Sequence, residues 1–272
     1  MDERARPTLP YEWAWSLHPS VLLGTGLLGA LYFYGIGPVR RRYNLGPPAS
    51  PWQILSFCAA LLVLLLALNG PVHDLSDYYL FSVHMLQHLV LTLLFPPLLL
   101  MGIPGWLLRP LVRRPAVLAL ARLATRPWFA AVLFSASIAI WHTSSFYDLM
   151  MRSHEVHIGT HLMFIVTATI MWWPVMSPLP ELPSLRPGMG MLYLFLVGIP
   201  MQLVAALITF ADEVLYPWYL AAPRTWGLSP LDDQQLGGLL MWIPGNLWMF
   251  AAIGVLFFKW ASQESEPVPS SS

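Results

Sequence analysis

The chain has 272 residues, of which 57% are hydrophobic and 10% charged, against roughly 25% charged in an ordinary soluble domain. Basic and acidic residues balance at 14 each, so no net field points to nucleic acid or to an acidic partner. These values exclude an ordinary soluble enzyme and predict a single all-α bundle in the lipid bilayer, with little mass left for a separate soluble module.

Seven apolar stretches are long enough to cross about 30 Å of hydrocarbon as helix. The first, residues 17–36, has neither a basic region before it nor a small-residue cleavage site after it, and is expected to persist as a helix. The second, 52–69, carries the single cysteine, Cys58, which rules out an internal disulfide or a Cys-x-x-Cys metal clip and reads as a small buried hydrophobe. The third, 78–101, contains Pro96 and Pro97. Between it and the fourth, Gly102 to Arg126 mixes basic residues with Leu, Val and Trp, which fits either an amphipathic helix on the membrane surface or a solvated basic loop. The remaining stretches are 127–143, 155–176, 188–210 and 236–258, with Pro200 and Pro244 inside the last two, where kinks are expected. No period-two alternation supports strands.

Residues 17–260 are therefore expected to form a seven-helix transmembrane domain. An amino-terminal segment, 1–16, precedes it, and a disordered tail, 261–272, rich in Ser, Glu and Pro, follows it. Alternate loops collect ten basic residues on one side (Arg40, Arg41, Arg42, Arg109, Arg113, Arg114, Arg122, Arg126, Arg186 and Lys259) and four on the other (Arg4, Arg6, Arg152 and Arg224). The positive-inside rule places the richer side in the cytoplasm, with the amino terminus outside and the carboxyl terminus inside. The longer polar connections, Gly70 to Asp77, Thr143 to Ser153 and Ala211 to Gln234, then lie outside.

All eight histidines (His18, His73, His84, His88, His142, His154, His157 and His161) fall in the outer half of this topology. His84 and His88 are four apart in VHMLQHLV, as are His157 and His161 in HEVHIGTHLM, so each pair shares one helix face and can present two imidazoles to one ion. Both pairs sit on the order of 10 Å below the outer boundary at about 1.5 Å per residue, which allows one shared site. His154 lies on nearly the same stripe as His161, and His142 ends the fourth span. Ionisable residues within the membrane mark function by default, although interhelical hydrogen bonding is the plainer reading.

Imidazole suits Cu, Zn, Fe and Ni, and nearby thioethers would favour Cu(I). Met85, Met150 and Met151 are near in sequence, but Met85 points away from the face of His84. A haem bridged by one histidine from each helix would leave the partner histidines without a role. Asp74, Asp77, Asp148, Glu155, Asp232 and Asp233 can orient imidazoles or serve as caps, and Ser76 with Asp77 and Ser153 with Glu155 read as first-turn pairs. The aromatic run Tyr216, Pro217, Trp218, Tyr219 with Trp226 reads as an interfacial anchor, or as a docking surface.

HMLQH in the third span, WH followed by FYD after the fourth, HEVHIGTH opening the fifth and LDDQQLGGLLMWIPG entering the seventh together resemble the CtaG family of caa-type cytochrome c oxidase assembly factors. The resemblance covers the second to the seventh helix and implies a multi-pass protein of the bacterial plasma membrane that supports production of active haem-copper oxidase. It implies a part in copper supply, with oxidase subunits as partners, and a chaperone rather than an enzyme. By the same resemblance, His84 with His88 and His157 with His161 are the family's third-span and fifth-span pairs; their own placement adds His142 and His154 as candidate metal ligands. Three alternatives follow from the residues alone: an intramembrane hydrolase with His-ligated zinc, using Asp148 or Glu155 as base; a bis-His haem carrier; and a metal transporter, for which the inner halves of the spans offer few ligands beyond Cys58.

Overall fold

A computed structural model describes residues 15–224 and 226–264. Among the described residues eleven α-helical elements run in chain order, with a short 3-10 helix (Pro217–Ala221) before the last: α1 (Pro19–Tyr43), α2 (Pro51–Ala67), α3 (Gly70–Tyr78), α4 (Phe81–Gly102), α5 (Gly105–Val112), α6 (Pro115–Ala124), α7 (Pro127–Trp141), α8 (Ser144–Arg152), α9 (His154–Met176), α10 (Pro187–Thr209) and α11 (Pro230–Glu264). No strand occurs among the described residues. Helices α1, α4, α9, α10 and α11 are each long and apolar enough to cross a membrane. The count rises to seven if α2 with α3, bent by 45°, and α6 with α7, bent by 66°, each make one span.

Proline sets many of the boundaries. It occupies the first turn of α1, α2, α3, α6, α7 and α10, where its missing N–H costs nothing. Inside a helix it frees the carbonyl four residues back. Pro96 does this to Thr92, α4 widens into a π turn over Val90–Leu94, and Trp172 of α9 donates its indole N–H to the Thr92 carbonyl at 3.0 Å. One proline-imposed vacancy in the ladder of α4 thus becomes a crosslink to α9.

Three segments expected as loops fold further than that. The connection after α2 is the helix α3, launched by Gly70 at φ 59°, and it buries Ser76 and Asp77. The connection after α7 is mostly α8, whose Tyr147, Met150 and Met151 recur at helical spacing and pack into an apolar cluster with Phe81, Met85 and Met241. The methionines are therefore packing residues. The aromatic run is no interfacial anchor: Tyr216, Trp218 and Tyr219 are at most 5% exposed, while Pro217 and Trp226 stay on the surface. They turn inward because each polar tip meets a carbonyl there. Tyr216 donates to His142 O at 2.8 Å, Tyr219 to Ser76 O at 2.5 Å and the Trp218 indole to Asp77 O at 2.7 Å. The basic stretch after α4 forms α5 and α6, and Val112 of α5 packs with Leu179 and Leu182 beyond α9.

α11 begins at Pro230, six residues before the expected span, and continues to Glu264, past the expected start of the tail at Ala261. The rest of the tail, and residues 1–14 with Arg4 and Arg6, lie outside the described residues. The early start of α11 has a purpose in α4. Asp233, fully buried, accepts from Phe81 N at 2.8 Å, Ser82 N at 3.1 Å and Ser82 Oγ at 2.6 Å, so a carboxylate from the last helix caps the helix that carries His84 and His88. Asp232 makes an ordinary local cap with Ser229. Following the chain direction, the starts of α4, α9 and α11 share one end of the bundle with Ser16 and His18, whereas Arg40 to Arg42, α5, α6, Arg186 and Lys259 gather at the other.

Replacing Asp233 with Ala leaves two buried N–H groups unmatched and is expected to cost about 2–3 kcal/mol, whereas Asp232→Ala costs less than about 1 kcal/mol. Thermal unfolding in detergent distinguishes them, with the Asp233 variant melting clearly lower. By the same measurement Trp172→Phe, which removes the donor to Thr92, should cost about 1–2 kcal/mol.

Candidate metal centre

α4 and α9 start at the same end of the bundle, so residues four apart on each bring two imidazole pairs to one level. His84 and His88 have ring centroids 4.3 Å apart, and their Nε2 atoms are 2.9 Å apart. His157 and His161 are 4.5 Å apart on α9. Across the helix interface, His88 lies 5.4 Å from His161, and His84 lies 6.0 Å from His161 and 5.6 Å from His157. All four are at most 6% exposed.

Two ligand sets result, and His84 belongs to both. Ligand atoms of His84, His88 and His161 lie within 4.8 Å of one another, as do those of Asp77, His84 and His157. An ion with bonds of about 2.0 Å to imidazole holds its ligands no more than about 4 Å apart, so shifts of about 1 Å would close either set. Asp77 reaches the cluster from the end of α3, with Oδ1 3.5 Å from His157 Nε2 and Oδ2 3.6 Å from His73 Nε2. It is thus no first-turn residue of the following helix, a place that the cap from Asp233 already fills.

Hydrogen bonding suggests which nitrogens are available. The His84 Nδ1–H faces the Ser76 carbonyl at 3.3 Å, which leaves the Nε2 lone pair pointing at His88. His88 Nδ1 and His161 Nε2 are buried with no hydrogen-bond partner. Unmatched buried polar atoms cost about 1–3 kcal/mol each, a cost that coordination would remove.

The other histidines are placed differently. His142, which follows α7, is buried with its ring 5.7 Å from His88, but its Nδ1–H donates to Ile138 O at 2.8 Å and it belongs to neither set. His154 is the first residue of α9, about a turn above His157, and is exposed; it too lies outside both sets. His18 and His73 pack edge to face at 4.3 Å. Burial and the neighbouring His73 lower the pKa of His18, against the pull of Asp74 and Asp77. On the far side of the cluster Tyr147 and Tyr219 share a 3.1 Å hydrogen bond, and burial pushes both phenols, with Tyr216, well above the usual tyrosine value, so they act as neutral hydrogen-bonding groups.

A cavity of about 690 Å³ runs beside the cluster. His18, His73, His154, His157 and His161 line one end, and the rest is apolar wall from α1, α2, α4 and α9. Its lining residues Leu27, Leu31 and Leu162 are about 60% exposed, so it opens sideways between α1 and α9. Sequence reasoning left His18 and His73 unassigned and passed over Gln87, which anchors His73 Nδ1 at 3.3 Å; the spacing of Gln87, three residues after His84, carried no metal signal.

An uncharacterized protein of Mycobacterium bovis and one of Mycobacterium tuberculosis are each 29% identical over 263 residues, covering 90% of this chain and 39% of their own length. A protein of Mycobacterium leprae is 26% identical over 255 residues, covering 88% of this chain and 38% of its own. The chain spans about two fifths of the length of these curated relatives. No solved structure matches. Residues 30–263 match the family described as cytochrome c oxidase caa3 assembly factor (Caa3_CtaG), and over that breadth the chain belongs to this family.

Proposed function

We propose that this membrane protein supports cytochrome c oxidase assembly as a copper chaperone, holding one copper ion at His84, His88 and His161 and releasing it to an oxidase subunit. The single observation behind this reading is the convergence of two helical histidine pairs at one buried level, with nitrogens of His88 and His161 left unmatched. An all-imidazole set suits copper, and neutral imidazoles exchange a bound ion more readily than a closed thiolate cage. The rings of α4 and α9 are already in contact, which leaves no slot for a macrocycle and favours a bare ion over a bis-His haem. The role is binding and transfer, without catalysis. The carboxylate of the Asp77 set also suits zinc, so metal identity is part of the test.

The basic residues at the end opposite the histidines support a bacterial plasma-membrane orientation with the cluster outside and the carboxyl terminus in the cytoplasm. That side suits delivery to the copper centres of an oxidase.

Purified protein reconstituted with Cu(I) should retain about one copper per chain, and the variant with His84, His88, His157 and His161 changed to Ala should retain less than about a tenth of that. Equal copper in both, or zinc retained in preference to copper, would refute the copper reading. Orientation has its own test in cells whose protein carries Cys58→Ala. An impermeant thiol reagent should label Asp212→Cys from outside and Arg114→Cys only after permeabilisation; the reverse pattern would invert the topology.

A further inference from the structure

The imidazoles do not stop at the two ligand sets. His18 and His73 stand at the mouth of the lateral cavity, 4.3 Å apart, and His73 lies 6.2 Å from His157. From His157 the steps inward are 5.6 Å to His84 and 4.5 Å to His161. Asp77 bridges the gap, with one carboxylate oxygen toward each of His73 and His157. The Gln87 amide N–H donates to His73 Nδ1 and turns its Nε2–H toward Asp77, so a metal bond at His73 displaces one of these contacts, while His18 Nε2 is buried with no hydrogen-bond partner.

The two ends of this series differ in access. Tyr216, Trp218 and Tyr219 close the cluster from the α8 side, pinned to carbonyls of His142, Asp77 and Ser76. At the other side His73 is 13% exposed and His18 half-buried, both facing the cavity. His84, which both ligand sets need, cannot offer its inward-facing nitrogen to two ions at once, so the sets read as successive positions of one ion.

We propose that His18 and His73 form an outer, transient binding station for a soft monovalent cation of the Cu(I) class. Asp77 with His157 passes the ion between that station and the inner site of His84, His88 and His161. Each step is a ligand exchange: one metal–nitrogen or metal–oxygen bond forms as another breaks, and the oxidation state does not change. The outer station controls the rate at which the ion arrives and leaves, and the inner site controls how much is held. This rests on the metal-binding reading above.

The test uses the full chain in nanodiscs, with Ag(I) as a redox-inert stand-in for Cu(I) and a chromophoric chelator as competitor. Stoichiometry is read by elemental analysis and exchange by stopped-flow absorbance. In His73→Ala the ion held at equilibrium should stay within about 20% of wild type, while loading and release both slow by tenfold or more. His73→Met, which restores a soft ligand, should recover most of the rate. His73→Asn, which keeps a polar side chain near Gln87 but offers no soft ligand, should remain slow and so separates ligation from packing. Unchanged rates in His73→Ala, or equal rates in the Met and Asn variants, would overturn the outer station. Loss of stoichiometry in His73→Ala would overturn it too, because His73 would then belong to the retaining site. Failure of wild type itself to hold Ag(I) or Cu(I) would instead bring down the metal-binding reading.

Discussion

A polar atom inside a helical bundle in lipid has no water to fall back on, and each one left unmatched costs about 1–3 kcal/mol. That constraint organises this molecule. The carbonyl that Pro96 frees at Thr92 recruits Trp172, and the first amides of α4 recruit Asp233 from 151 residues and more away in the chain. The last carbonyls of α3 recruit Trp218 and Tyr219. Each repair ties one element to another, and together they hold α3, α4 and α9 in fixed register around the histidines. The buried nitrogens left unpartnered include His88 Nδ1 and His161 Nε2 within the cluster, with His142 Nε2 beside it.

The register has a chemical consequence. Imidazole is a good metal ligand only when its lone pair is free and its ring is oriented by the other nitrogen. Here the orienting partners are main-chain carbonyls, Ser76 for His84 and Ile138 for His142, whereas the Gln87 amide N–H donates to His73 Nδ1 and so fixes that ring through its lone pair. The backbone that the aromatic segment pins down is therefore the same backbone that aims His84. A side-chain cluster with no cysteine would hold an ion by geometry and burial, as the proposed transfer role requires.

The apolar stretches were readable from composition alone because helices in lipid must be apolar along their whole length; all seven stretches coincide with helices, two of them with α2 and α7, which are short and bent against their neighbours. The equal depth of His84, His88, His157 and His161 followed from spacing and direction, since helical rise is nearly constant. What could not be read depended on contacts between segments distant in sequence. Asp77 resembles a polar loop residue until α3 folds back over the bundle, and Asp233 resembles its neighbour Asp232 until α11 meets α4. Tyr216, Trp218 and Tyr219 have the composition of a membrane-interface belt, and only the carbonyls they meet turn them inward. His142 and His154 sit at helix ends, and their place outside both ligand sets depends on packing that spacing does not give.

The central proposal for this member of the oxidase assembly family is that imidazole nitrogens from α4 and α9 hold copper together. X-ray absorption at the copper edge of the loaded protein measures that shell directly. Two to three nitrogen scatterers at about 2.0 Å are expected, with the multiple-scattering pattern of imidazole and no sulfur shell. A shell dominated by sulfur near about 2.3 Å, or one that persists when His88 and His161 are both replaced by Ala, would contradict it.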